Sequence, residues 1–279
     1  MEKKLSISCV ILTFNEEIHI ERTLINALQY FEEVVVLDSG SIDNTLKICD
    51  SLNVNHFYNK FSNYSTQRNF AITELNLKFD YIFFLDADEY IDRELFLSIS
   101  SEFNSKLLFD GYYIKRKFIF MDKWIRYGGY YPIYLLRLFN KKNSRSFGSI
   151  NEHILTEGDT KVISCGNIID HNLNDVSFWL SKHNNYSSLE ASEFFILPKI
   201  DNKKIFDSQA NFKFFIKNKF YNKFPVLIRP FFYFIYRYFF RLGFLDGHQG
   251  FIYHFLQGFF FWFFVDVKIF EKKNRLNEK

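Results

Sequence analysis

Tyr81-Ile82-Phe83-Phe84-Leu85-Asp86-Ala87-Asp88-Glu89 decides how this chain is read: an apolar run stops abruptly at two carboxylates two positions apart. An apolar run this short, with no polar alternation, reads as a strand covered on both faces. Working back toward the N-terminus, Leu5–Leu12 and Val34–Leu37 have the same character, and Val54–Tyr58 reads as a further strand. Helical spacing separates them. Asn15–Tyr30 places Ile18, Ile20, Leu24, Ala27 and Leu28 on one side, Ser41–Thr45 supplies capping chemistry for a helix through Leu52, and Thr66–Leu75 is a third helix. Strands alternating with helices in this way predict an α/β fold with a doubly wound, mainly parallel sheet.

Open α/β sheets bind ligands where the strands end at their carboxyl side. Thr13-Phe14-Asn15-Glu16, Asp38, and the Asp86/Asp88 pair all fall at such ends. Each alone has a plain alternative, Asn15 as a helix cap and Asp38 as a turn residue. Their convergence at one edge is what points to a site. Two nearby carboxylates offer hard oxygen ligands for Mg²⁺ or Mn²⁺, the ion a departing diphosphate requires. Glu89 follows as a supporting acid. Asp38 can accept from the N3–H of uracil, Thr13 can fix the base or ribose, and Arg68 can reach a base carbonyl or a phosphate; a surface helix position is the other reading of Arg68.

Beyond residue 110, Gly111–Phe120, Ile133–Phe139 and Lys161–His171 read as strands of a mixed half-sheet, with Val176–Phe195 a helix. Trp179, Lys182, His183 and Tyr186 share one face of that helix, an acceptor surface or an amphipathic packing face.

Ile11-Leu12-Thr13-Phe14-Asn15-Glu16-Glu17, Val35–Thr45, Gln67-Arg68-Asn69 and Phe84–Glu89 together resemble the family 2 glycosyltransferases, which have the GT-A nucleotide-sugar-binding fold. More narrowly, they are similar to the bacterial lipopolysaccharide-core glucosyltransferases within it. The resemblance continues more loosely through Tyr134–Phe139 and Asn151-Glu152-His153. It implies a UDP-sugar donor held through Thr13, Glu16, Asp38 and Arg68. It implies metal and diphosphate contacts at Asp86 and Asp88, and inversion at the anomeric carbon by single displacement. That displacement needs a base for the acceptor hydroxyl. Glu152 is the candidate, with His153 as an alternative base or a diphosphate or metal ligand; a structural acid is the other reading of Glu152. Arg137 lies on an apolar strand, where an unpaired charge would be costly, and is expected to pair with Glu152 or a phosphate, unless it is an ordinary edge-strand arginine.

The rest of the chain differs in composition. Fifteen of the 38 Phe lie between Phe220 and Phe264, and residues 203–279 carry a net charge of +9 against −6 for residues 1–202. Pro225–Phe240 and Phe251–Val265 are apolar, separated by a Gly243–Gly247 turn, and each falls short of the ~20 residues a spanning helix needs. We expect residues 1–200 to form the catalytic domain. Residues 201–279 are expected to form a helical, amphipathic extension lying on anionic lipid, with Lys213, Lys217, Lys219 and Lys223 before the helices and Lys268, Lys272, Lys273 and Arg275 after them. Similar enzymes carry such a tail. Packing on the catalytic domain or a homodimer contact is the alternative use of these helices.

Three cysteines without metal spacing argue against a zinc site or a disulfide framework, and the N-terminus lacks a signal-peptide pattern. A cytoplasmic enzyme on the inner face of the cytoplasmic membrane is expected, acting on a glycolipid or lipopolysaccharide-core acceptor. A net charge of +3 does not suit a nucleic-acid binder. A sugar nucleotidyltransferase would need a glycine-rich basic loop where Thr13–Glu17 stands, and a non-catalytic membrane-bound scaffold would not need Asp86 and Asp88.

Overall fold

Every apolar run of the first ninety residues becomes a strand in the computed structural model, which describes residues 3–105, 108–148, 153–196 and 224–277. The order begins β1 (Leu5–Thr13), α1 (Ile20–Tyr30), β2 (Phe31–Asp38), α2 (Thr45–Ser51), β3 (Asn55–Tyr58), α3 (Tyr64–Thr73) and β4 (Tyr81–Asp86). A short strand β5 (Glu89–Ile91) and helix α4 (Arg93–Phe103) follow. Then come β6 (Gly111–Phe120), β7 (Lys123–Trp124), β8 (Ile133–Asn140), β9 (Ser144–Phe147), β10 (His153–Thr156), β11 (Thr160–Val162) and β12 (Ile168–His171). The sheet runs β3-β2-β1-β4-β8-β6-β12-β5, with β7 and β11 also paired to β6 and β9-β10 a separate hairpin. β1 to β4 are parallel, and β8 enters antiparallel between β4 and β6. The α/β, mainly parallel sheet is therefore present, with a mixed second half.

Both faces of the central strands are covered, which is why their sequences lack alternation. Ile7, Cys9, Ile11, Val36, Phe83 and Leu85 pack with Leu24, Ala27 and Leu95 from α1 and α4. Val10, Val35, Leu37, Ile82 and Phe84 pack on the opposite face with Ala71 and Ile72 of α3. Phe84 with Phe139 bridges the neighbouring strands β4 and β8, and Phe31 with Phe83 reaches across β1 from β2 to β4.

Two expectations change. The Lys161–His171 strand is two strands, because both β11 and β12 pair with β6 but a loop through Gly166 leaves the ladder between them. Gly166 has φ +81°, and a Cβ there would lie 2.0 Å from the Leu95 backbone nitrogen, so only glycine lets the loop approach α4. β8 is an interior strand, so Arg137 is not an edge-strand arginine.

The chain forms two compact units, Met1–Trp124 with Tyr131–Leu173, and Ile125–Tyr130 with Asn174–Lys279. The second contains α5 (Val176–Ile196), α6 (Arg229–Ile235), α7 (Gly247–Tyr253) and α8 (Phe261–Asn277). α5 belongs with the C-terminal helices rather than with residues 1–173, because Ala191 and Tyr186 pack against Phe261, Val265 and Ile269. The expected boundary at residue 200, like Lys213 to Lys223, lies outside the described residues. π-helical turns, Tyr236–Phe240 and His254–Phe260, continue α6 and join α7 to α8. The helical run Gly243–Arg275 is thus continuous and, by length and composition, long and apolar enough to cross a membrane, unlike either apolar run counted separately. Its rings stack at i, i+4 spacing, Phe251 on Phe255 and Phe259 on Phe263.

Candidate active site

Thr13, Asp38 and Asp86 end three neighbouring parallel strands. Thr13 is in register with Asp38 and Leu12 with Asp86. Two strand spacings, about 10 Å, therefore separate the two acids across β1.

The loop after β1 is locked to the loop after β2. The Asn15 amide donates to Ser41 Oγ (2.8 Å) and its side chain accepts from Ile42 N (2.9 Å). Glu16 N donates to Thr45 Oγ1, and Glu17 Oε2 accepts from Asn44 N. Asn15 has φ 54°, a left-handed conformation that asparagine tolerates better than most residues. The Asn-Glu-Glu motif thus builds the rim as well as facing it. Asp38, 2% exposed, accepts from Gly40 N and Ser41 N on Oδ2 and from Ser41 Oγ on Oδ1. This is turn chemistry that leaves acceptor capacity on Oδ1. Thr13 Oγ1 is buried without a hydrogen-bond partner among the described residues. A buried hydroxyl is normally satisfied, so it is available to a bound molecule.

Asp86 is the centre of the charge network. Arg137 grips it at 2.8 and 3.4 Å, and Arg68 Nη2 approaches at 3.1 Å. Arg68 also lies over the Phe84 ring. Burial pushes the Asp86 pKa up, but Arg137 and then Arg68 outweigh it and hold the carboxyl well below the usual range. Its side chain is still 40% exposed, so it faces the site. Arg137 also binds Glu89 Oε1 at 2.9 Å, and Glu89 Oε2 accepts from Asp86 N. Burial, with neighbouring acids adding to it, raises Glu89 to about 8 despite Arg137. Asp170, paired with Arg116 at 3.3 Å, is raised by burial to about 7. The partner expected for Arg137 was Glu152 or a phosphate; here it is Asp86 and Glu89.

Asp88 is held from behind. Asn172 Nδ2 donates to its Oδ2 (2.8 Å), and its carbonyl accepts from His171 N (3.1 Å) and Arg22 Nη2 (3.2 Å). Arg22 Nη2 also reaches the His171 carbonyl at 2.7 Å. Thr23 Oγ1 donates to the Ala87 carbonyl, and Asn26 exchanges two hydrogen bonds with Ile91. His19, 0% exposed, accepts from Leu173 N on Nε2, so its Nδ1 carries the proton toward Glu16.

The structure therefore brings together Thr13, Asp38, Arg68, Asp86, Asp88 and Arg137, with Glu16 on the adjoining rim. His153 begins β10, but its side chain is not described, and Glu152 lies outside the described residues. Asp170, Arg116, Asn172, His19 and Arg22 were missed. The available signal was the polar spacing 19, 22, 23, 26 on a helix and the Asp170-His171-Asn172 end of an apolar strand. The shared face of Trp179, His183 and Tyr186 is a packing face in the second unit, where His183 stacks on Trp179 at 3.6 Å and meets Phe261 edge-on.

The family model for Glycosyl transferase family 2 matches residues 8–154. The chain is similar to an uncharacterized glycosyltransferase of Rickettsia typhi, 27% identical over 262 residues, 88% of this chain and 80% of that protein. It is also similar to the lipopolysaccharide core biosynthesis glycosyltransferase LpsC of Rhizobium meliloti, 26% identical over 205 residues, 69% of this chain and 73% of that one. Four further curated relatives, 36% to 38% identical, are matched over only 21% to 32% of their own lengths. Among solved structures, glucosyl-3-phosphoglycerate synthase from Mycobacterium tuberculosis, in complex with Mn²⁺, UDP and glucosyl-3-phosphoglycerate, is 19% identical and aligns over 40% of this chain and 44% of that one, with a TM-score of 0.32.

Proposed function

Because the chain belongs to glycosyl transferase family 2, we propose that it moves a hexose from a UDP-sugar to a hydroxyl of a glycolipid or lipopolysaccharide-core acceptor, with inversion at the anomeric carbon. The observation that carries this reading is the convergence of Thr13, Asp38, Arg68, Asp86 and Arg137 on the ends of β1, β2 and β4. In this reading Asp38 and Thr13 hold the nucleoside, with Glu16 closing the rim. Arg68 and Arg137, now on the Asp86 carboxylate, have enough N–H donors to share with a diphosphate.

Mg²⁺ or Mn²⁺ fits the acids present. No group of three His, Cys, Asp or Glu able to hold a metal occurs among the described residues. The ion would take Asp88 and Asp86, with phosphate oxygens and water completing its shell, as Mg²⁺ commonly does. When bound, it neutralises the charge that develops on the leaving diphosphate. Glu152 is proposed as the base that takes the acceptor proton, with His153 beside it as a diphosphate ligand or the alternative base.

The helical unit is proposed to lie on the inner face of the cytoplasmic membrane. Phe231, Phe239, Phe240, Phe244 and Phe251 are all exposed, and the +9 charge of residues 203–279 suits anionic head groups. The function is tested by nucleotide release from a panel of UDP-sugars with Mg²⁺ or Mn²⁺, with and without EDTA. Release of UDP with at least one sugar, abolished by EDTA, is expected. Metal-independent release would overturn the role given to Asp86 and Asp88, and no release with any UDP-sugar plus a lipopolysaccharide-core acceptor would overturn the donor.

A further inference from the structure

α1 turns a polar comb toward the acidic loop. His19, Arg22, Thr23 and Asn26 fall at i, i+3, i+4 and i+7, one face of a helix, and each meets a different point of the Ala87–Ile91 and His171–Leu173 segments. Three of the contacts join one segment each. Arg22 alone joins two: its Nη2 reaches the Asp88 carbonyl at 3.2 Å and the His171 carbonyl at 2.7 Å, its Nη1 lies 3.4 Å from His171 Nδ1, and its guanidinium lies over the Tyr90 ring. The strand end that Arg22 holds carries Asn172, whose amide fixes Asp88 Oδ2 at 2.8 Å. Arg22 thus acts on the Asp88 carboxylate twice, through the Asp88 backbone and through the neighbour that orients its side chain.

We propose that Arg22 is a positioning residue for sugar transfer: by clamping the carbonyls of Asp88 and His171 together it sets the direction in which the Asp88 carboxylate points. The inference rests on the reading of Asp88 as a donor-site acid. A guanidinium suits the task because Nη2 alone carries two N–H groups for the two carbonyls while Nη1 faces His171 Nδ1 and the planar group lies over the Tyr90 ring, a set of contacts that the ammonium of lysine does not reproduce together. Outer groups that orient a metal-binding carboxylate change affinity by about 10- to 100-fold when removed, and Arg22 stands in that relation to Asp88.

The test uses the full-length protein with Arg22→Gln, Arg22→Lys, Asn26→Ala and Asp88→Asn, and three readouts: Tm, Mn²⁺ affinity in the presence of UDP by electron paramagnetic resonance, and kcat and KM for the UDP-sugar. Arg22→Gln is expected to weaken Mn²⁺–UDP binding by about tenfold or more, with Arg22→Lys intermediate. Asn26→Ala, which removes only the bonds to Ile91, is expected to lower Tm while leaving Mn²⁺–UDP affinity unchanged. If Arg22→Gln lowers Tm as Asn26→Ala does and leaves affinity intact, Arg22 is only structural and the proposal is overturned. If Arg22→Gln fails to fold, Arg22→Lys decides by the same comparison of affinity with Tm. If Asp88→Asn leaves Mn²⁺–UDP affinity and kcat unchanged, the donor-site reading fails first, and the role of Arg22 in transfer falls with it.

Discussion

Arg137 is a buried cation shared by two acids that differ in what they ask of it. Asp86 is partly open and stays ionised, while Glu89, 1% exposed, is raised to about 8 from its usual 4.5. Asp170 is raised to about 7 from 3.8 in the same neighbourhood. Between the unfolded and folded values the native state holds protons that the unfolded chain has released. The stability tied to these groups is therefore fully present below about pH 4 and is lost as pH rises through 7 and 8. The metal-free protein should lose stability from pH 5 to 8.5, by at most roughly 1.4 kcal/mol per pH unit for each group. Glu89→Gln should flatten that profile; urea titrations at several pH values check it. An unchanged slope would mean that Glu89 does not titrate in this interval.

At the scale of elements, a buried ion pair ties two of the C-terminal helices. Arg229 on α6 forks onto Asp266 on α8, and Leu227 N donates to the same carboxylate at 3.0 Å. Asp266 is 0% exposed. Removing one member strands the other charge, so Asp266→Asn should lower the stability of the folded chain by about 3–5 kcal/mol, while Arg229→Met with Asp266→Leu should recover most of that loss. Denaturant unfolding of both variants distinguishes the outcomes. This pair shows where sequence reading stops. Apolar runs gave β1, β4, β6 and β8 to within a residue at each end, because burial on both faces leaves a local trace, while β2 begins at Phe31, three residues before the run Val34–Leu37. Asp86 and Asp88 were legible because they end such a run. Contacts such as Arg229 with Asp266, or Arg22 with His171 across 149 positions, leave no local pattern. β5 is only three residues long, too short for periodicity to register, and the helical run past Gly243 was divided because Gly258 and His254 interrupt its apolar composition while the backbone continues through a π-helical turn.

At the scale of the whole molecule, the acidic first part and basic last part of the sequence suit different surroundings. Phe240 is 76% exposed, and Phe244, 44% exposed, meets the Tyr238 ring edge-on. Replacing both by Asp should weaken binding to vesicles containing anionic lipid by about tenfold or more, with little change in Tm because neither ring is buried. Vesicle sedimentation measures this, and unchanged binding would remove these rings from the proposed membrane face.

The second unit also contains Ile125–Tyr130, taken from the middle of the chain. The amides of Arg126 and Tyr127 donate to Asp246, 120 and 119 positions later, and Arg237 donates to the Gly128 carbonyl. During synthesis this hexapeptide leaves the ribosome long before these partners exist. Closing so wide a loop must wait until Asp246 has been made, so the helical unit matures after the sheet strands that precede it, and a translation product that stops short of Asp246 leaves both amides without the carboxylate that receives them.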